Sequence, residues 1–116
     1  MVTTWAKVQT RFEALHRWDD AFDEVKFLTN PHRHEFHLTV MVEQNHDDRD
    51  VEYIFLKRRL EDWLDDYIPE DKDLDQMSCE MIAKDILKQL QHWYSEDRDY
   101  RIEVTEDGEN GALIET

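Results

Sequence analysis

The hydrophobic period of this chain changes twice, and that change restricts it to a small group of folds. Over residues 4–16 the period is two: Thr4, Ala6, Val8, Thr10, Phe12, Ala14 and His16 share one face, with Trp5, Lys7, Gln9, Arg11, Glu13 and Leu15 on the other. That is the pattern of a strand with one buried side. Residues 32–43 repeat it, with His32, His34, Phe36, Leu38, Val40 and Val42 against Arg33, Glu35, His37, Thr39, Met41 and Glu43. From Val51 the spacing lengthens to three and four, through Tyr53, Leu56, Leu60, Trp63, Leu64 and Tyr67, which predicts a helix stopped by Pro69. A second helix is expected from about Ser78, its stripe being Ile82, Ala83, Ile86, Leu87, Leu90 and Trp93, with Ser78 or Asp75 as N-cap. The period of two returns at Tyr100, Ile102, Val104 and Glu106. Residues 107–111 then turn the chain into Ala112, Leu113 and Ile114.

The order is therefore ββααββ, and strands separated by a run of helices predict an α+β fold with an antiparallel sheet and two helices packed on one face. Residues 44–50 read as a polar turn, and residues 18–31 as a connection with 25–28 extended. With two Gly, two Pro and no repeat or linker, residues 1–116 are expected to form one domain. A domain this small leaves much of its surface in water, so assembly is an economical way to bury more.

Charge narrows the choice of partner. Twenty-nine acidic against fourteen basic residues give −15, with no basic stripe to displace counterions, so no nucleic-acid partner is expected. The charge is read first as a solvated surface and second as mimicry of a phosphate ladder, which the interleaved Arg49 and Lys72 weaken. A single cysteine, Cys79, permits no intrachain disulfide. With neither a signal-like apolar run at the start nor roughly 20 consecutive apolar residues, the expectation is a cytoplasmic protein without a membrane partner.

The chemistry concentrates in the histidines. His32 and His34 leave the same side of one strand, the side that carries Phe36, Leu38, Val40 and Val42, and His16 ends the apolar face of the strand before it. Antiparallel pairing would bring the three together. Each taken alone reads as a hydrogen-bonded core residue, but side by side their lone pairs go unsatisfied unless a cation takes them. Three neutral imidazoles suit Zn²⁺ with an open fourth position. Glu106 extends the Tyr100, Ile102, Val104 face. It reads either as a solvated carboxylate at a fraying strand end or as an acceptor for the paired N–H donors of a guanine-like heterocycle.

Taken in order, the motifs resemble those of the tetrahydropterin synthases. Phe12-Glu13-Ala14-Leu15-His16 is similar to the family's F-x-A-A-H strand, and His32-Arg33-His34-Glu35-Phe36 to its H-G-H-N-Y. Val51-Glu52-Tyr53-Ile54-Phe55-Leu56-Lys57 resembles its V-D-F-x-x-L-K, and Ser78-Cys79-Glu80-Met81-Ile82-Ala83 its T-A-E-N-L-A; Val104-Thr105-Glu106 is similar to the late strand whose glutamate anchors the pterin. The resemblance implies a T-fold in an oligomeric barrel, a trimer or hexamer with sites between chains. It also implies zinc on His16, His32 and His34, and a pterin or purine-like ligand on Glu106. The departures fall on proton transfer. Residues 26–31 lack the family's cysteine, residues 64–69 lack its Asp-His pair, and Arg33 and Glu35 replace its glycine and asparagine.

Three functions follow: a zinc-dependent lyase acting on the side chain of a dihydropterin or related substrate, a module that holds such a ligand without converting it, and an acidic interaction protein whose zinc is structural. In the first, Glu24, Glu35 or Asp66 is a candidate substitute for the missing acid and base.

Overall fold

Strand β1 (Trp5–His16) pairs antiparallel with β2 (His32–Glu43), β2 with β3 (Tyr100–Glu106), and β3 with β4 (Asn110–Glu115), giving a four-stranded sheet in the order β1-β2-β3-β4. The computed structural model describes residues 1–116. Helices α1 (Tyr53–Tyr67) and α2 (Cys79–Tyr94) lie between β2 and β3 in sequence. The even-numbered residues Ala6, Val8, Ala14, Phe36, Leu38, Val40, Val42, Tyr100, Ile102 and Val104 are all buried, and all belong to one sheet face. Leu56, Leu60 and Leu64 of α1 and Ile82, Ala83, Ile86 and Leu90 of α2 close over that face in a single apolar cluster. The protein is thus α+β, with ββααββ order and both helices on one side. Neither helix is long and apolar enough to cross a membrane.

Local chemistry sets the ends of these elements. Glu52 caps α1 by accepting from the amides of Ile54 and Phe55, and Ser78 caps α2 by accepting from that of Met81. Ser78 rather than Asp75 is the cap, since Asp75 sits in a left-handed conformation at φ 56° within the preceding loop. Tyr53, placed by its spacing on the apolar stripe, is the first residue of α1 and is 56% exposed.

The connection departs from expectation. Residues 25–28 are not extended: Asp23–Thr29 forms a 3₁₀ segment kinked at Val25, closed by Val25 N–H to Phe22 O at 3.0 Å and Asn30 N–H to Phe27 O at 3.3 Å. β2 is already flanked by β1 and β3, so this stretch has no ladder to join and satisfies its backbone locally. The other side of β1 is partly covered near its end. Leu15 N–H donates to Lys72 O and Leu74 N–H to Leu15 O, each at 2.8 Å, which ties the loop before α2 to the strand.

Two features give stability predictions. The β3–β4 turn places Asp107 at φ 57° and Gly108 at φ 73°, the left-handed pair that tight hairpins favour. Just beyond it, a Cβ on Gly111 would stand 1.9 Å from Val104 O and 2.6 Å from Thr105 Cα. Gly111→Ala should therefore cost about 2 kcal/mol or more, read as a lower urea midpoint.

At the opposite end of the sheet, Asp50 accepts from Arg98 at 2.6 Å and from the Asn45 amide at 2.7 Å, with both charged side chains only 14% exposed. These donors, the Arg98 guanidinium first, hold the Asp50 carboxyl down at about 2 from an ordinary 3.8. A lowered carboxyl contributes stability above its unfolded value and loses it as pH falls through its folded one. Asp50→Asn should thus destabilise by about 2 kcal/mol at pH 7 and flatten the part of the acid unfolding profile between pH 3.8 and about 2.

Candidate metal centre

Strand register creates the site. His16 lies directly across from His32, and Ala14 directly across from His34, so a small residue leaves room for the second imidazole. The ring centres stand 4.5 Å apart for His16 and His32, 5.0 Å for His32 and His34, and 5.3 Å for His16 and His34. Phe36, fully buried and stacked on Phe12, forms the floor, with the His16 ring edge-on to it at 5.2 Å. Glu106 ends β3 opposite Phe36 and brings its carboxylate into the same group. One ligating atom from each of His16, His32, His34 and Glu106 lies within 4.8 Å of every other, so this group could hold a metal ion.

The hydrogen bonds fix how the rings face. His16 Nδ1 meets Met77 O at 2.9 Å, His32 Nδ1 meets Asn30 O at 2.8 Å, and His34 Nδ1 meets Asp107 Oδ2 at 2.7 Å. Each partner is an oxygen acceptor, so each Nδ1 carries the proton and a neutral ring is left with its Nε2 lone pair free. This arrangement, the far nitrogen held by a carbonyl or carboxylate, is the usual support of a metal-bound histidine.

One atom tests whether a cation fits. His16 is 8% exposed, and its Nε2 is buried without a hydrogen-bond partner. Glu106 Oε2 lies 2.8 Å away, an ion-pair distance, yet off the hydrogen-bond direction; His34 Nε2 is 3.6 Å from the same oxygen. Lone pairs facing one another this closely repel unless a positive charge lies among them. Two donors each about 2.0–2.1 Å from a tetrahedral ion stand roughly 3.3 Å apart, and the two contacts bracket that separation. The donor set fits a cation.

The site opens into a cleft of about 440 Å³, lined by His16, His32 and Glu106 together with Trp18, Cys79 and Met81. Burial, then the nearby Glu106 and Glu80 charges, push the Cys79 thiol up to about 12, so it stays protonated and unreactive at neutral pH. Of the carboxylates weighed as acid or base, Glu24 and Asp66 are exposed away from the cleft, and Glu35 sits on the opposite sheet face against His37 at 2.9 Å. None of the three lines the cleft. Sequence reasoning missed Asp107, whose carboxylate also accepts from the Glu35 amide at 3.0 Å and is held below the usual carboxylate range chiefly by that bond, with His34 adding to it. Its signal was the Asp-Gly turn directly after Glu106. The carbonyls of Asn30 and Met77 left no signal, because backbone atoms carry no residue identity.

Comparison with protein-family models and with curated proteins finds no match.

Proposed function

We propose that this chain binds zinc through His16, His32 and His34 and uses it on a small heterocyclic ligand held in the adjoining cleft. The observation that carries this reading is that one potential ligating atom from each of the three histidines lies within 4.8 Å of the others, while their Nδ1 atoms all meet oxygen acceptors. Zinc bound there would polarise an oxygen of the ligand's side chain. The chain's own groups do the rest. Phe36 closes the floor to water, Met77 O, Asn30 O and Asp107 hold the imidazoles, and Glu106 offers two acceptors that match the adjacent N–H donors of a pterin or guanine edge. The motif order resembling the tetrahydropterin synthases supports a pterin ligand and a T-fold assembled into a barrel.

A second reading, ligand binding without conversion, is favoured by the buried, protonated Cys79 and by the absence of Glu24, Glu35 and Asp66 from the cleft. Turnover of dihydroneopterin triphosphate, followed by product analysis, separates the two. Product formed by wild type but not by His34→Ala supports catalysis; tight binding without product supports the second reading.

Assembly is part of the proposal. β4 leaves one edge of the sheet open and β1 covers only the end of its own, a condition natural proteins relieve by pairing. Sedimentation at micromolar concentration should therefore give a trimer or hexamer, and a stable monomer would count against the barrel.

A further inference from the structure

Glu106 is asked to do two things that it cannot do at once. Its carboxylate belongs to the group able to ligate a metal, and the same carboxylate is the acceptor proposed for the ligand. From this conflict we infer that Glu106 is a displaceable fourth ligand: at rest it occupies the metal's open position, and a ligand with two adjacent N–H donors draws it away. This rests on the three-histidine metal site and on the heterocyclic ligand proposed above.

The two carboxylates beside the histidines are held very differently. Asp107 is fixed by two N–H donors, the Glu35 amide on Oδ1 and His34 Nδ1 on Oδ2. Glu106 reaches the imidazoles through Oε2 alone, at 2.8 and 3.6 Å, and neither contact anchors it, since His16 Nε2 has no hydrogen-bond partner. Its side chain is 28% exposed, far more open than His16, and it lines the cleft through which a ligand would enter. It also ends its strand, immediately before the turn at Asp107 and Gly108. A carboxylate so placed can rotate between the histidines and the cleft without moving the sheet.

Displacement exchanges one donor on the metal for another and transfers no proton or electron. It links the two halves of the site. While Glu106 is on the metal, the fourth position is closed to outside ligands; once its oxygens are taken by paired N–H groups, that position opens. A ligand lacking the paired donors leaves it shut. By linkage, a second donor seated on the metal should strengthen binding of the heterocycle by the same factor by which the heterocycle opens the metal.

Cobalt(II) reports this through its visible absorption, and imidazole serves as a neutral probe of the fourth position that Glu106 does not repel by charge. Cobalt-loaded wild type should bind imidazole at least tenfold more weakly than cobalt-loaded Glu106→Ala, and the cobalt bands of the two should differ before imidazole is added. Guanosine should raise the imidazole affinity of wild type toward that of the variant and leave the variant unchanged. Glu106→Gln, which keeps the side-chain shape, should follow Glu106→Ala, with circular dichroism confirming that both fold. Identical bands and imidazole affinities in wild type and both variants would overturn the displaceable ligand while leaving the metal site intact. Absence of cobalt bands from wild type would overturn the metal site and this role together.

Discussion

His34→Ala should strip the purified chain of its metal, taking zinc from about one per chain to under a tenth, while leaving the strands in place. The ring is only partly buried and faces Ala14 across the β1–β2 ladder, so its removal opens little of the core. It does remove one of the three imidazole donors and leaves Asp107 with only the Glu35 amide of its two partners. The loss should reach stability as well. Binding to the folded state at a thousandfold excess over the dissociation constant adds about 4 kcal/mol, or about 15 °C in a domain of this size, so chelation should lower the wild-type melting temperature by roughly that amount. His34→Ala should melt near chelated wild type and barely respond to chelator. The physical reason is that His16 Nε2 is buried without a hydrogen-bond partner beside a carboxylate oxygen at 2.8 Å. A variant that kept its zinc, or wild type indifferent to chelation, would remove the histidines from the ligand set.

The second large effect concerns Glu106. Calorimetry with a panel of pterins and guanine nucleosides should show Glu106→Ala binding at least tenfold more weakly than wild type, since charge-assisted bonds of about 1.5–3 kcal/mol are lost and the ligand's donors are left unpaired. Zinc content should remain stoichiometric, because the three imidazoles stay. Glu106→Gln should also weaken binding, as an amide presents one acceptor and one donor where two acceptors are needed. Equal affinity in wild type and Glu106→Ala, or no binding by wild type to any of the panel, would leave the cleft without its proposed ligand and favour an acidic interaction protein with structural zinc.

Most of the fold was legible because burial is one-sided. A sheet covered on one face writes a period of two into β1, β2 and β3, and the helices that cover it write stripes such as Leu56, Leu60 and Leu64. The same alternation put His16, His32 and His34 on the core side, and register then set His16 against His32. The 3₁₀ segment at Asp23–Thr29 was not legible. It buries none of its residues, so no apolar period marks it, and only the lack of a neighbouring strand decides its form. The loop tied to β1 near Leu15 escaped for a related reason, since its bonds run between backbone atoms. Within the site, the ligating side chains were readable and the groups that orient them were not: two of the three are carbonyls, and Asp107 acts only because a left-handed turn swings it back toward His34.

X-ray absorption at the zinc edge of the purified wild-type chain, with metal content measured on the same sample, tests the central claim most directly. The account predicts about one zinc per chain, with three imidazole nitrogens at about 2.0–2.1 Å and one oxygen completing the shell. A chain that retains no stoichiometric zinc when supplied with it, or a zinc shell without imidazole scattering, would contradict it.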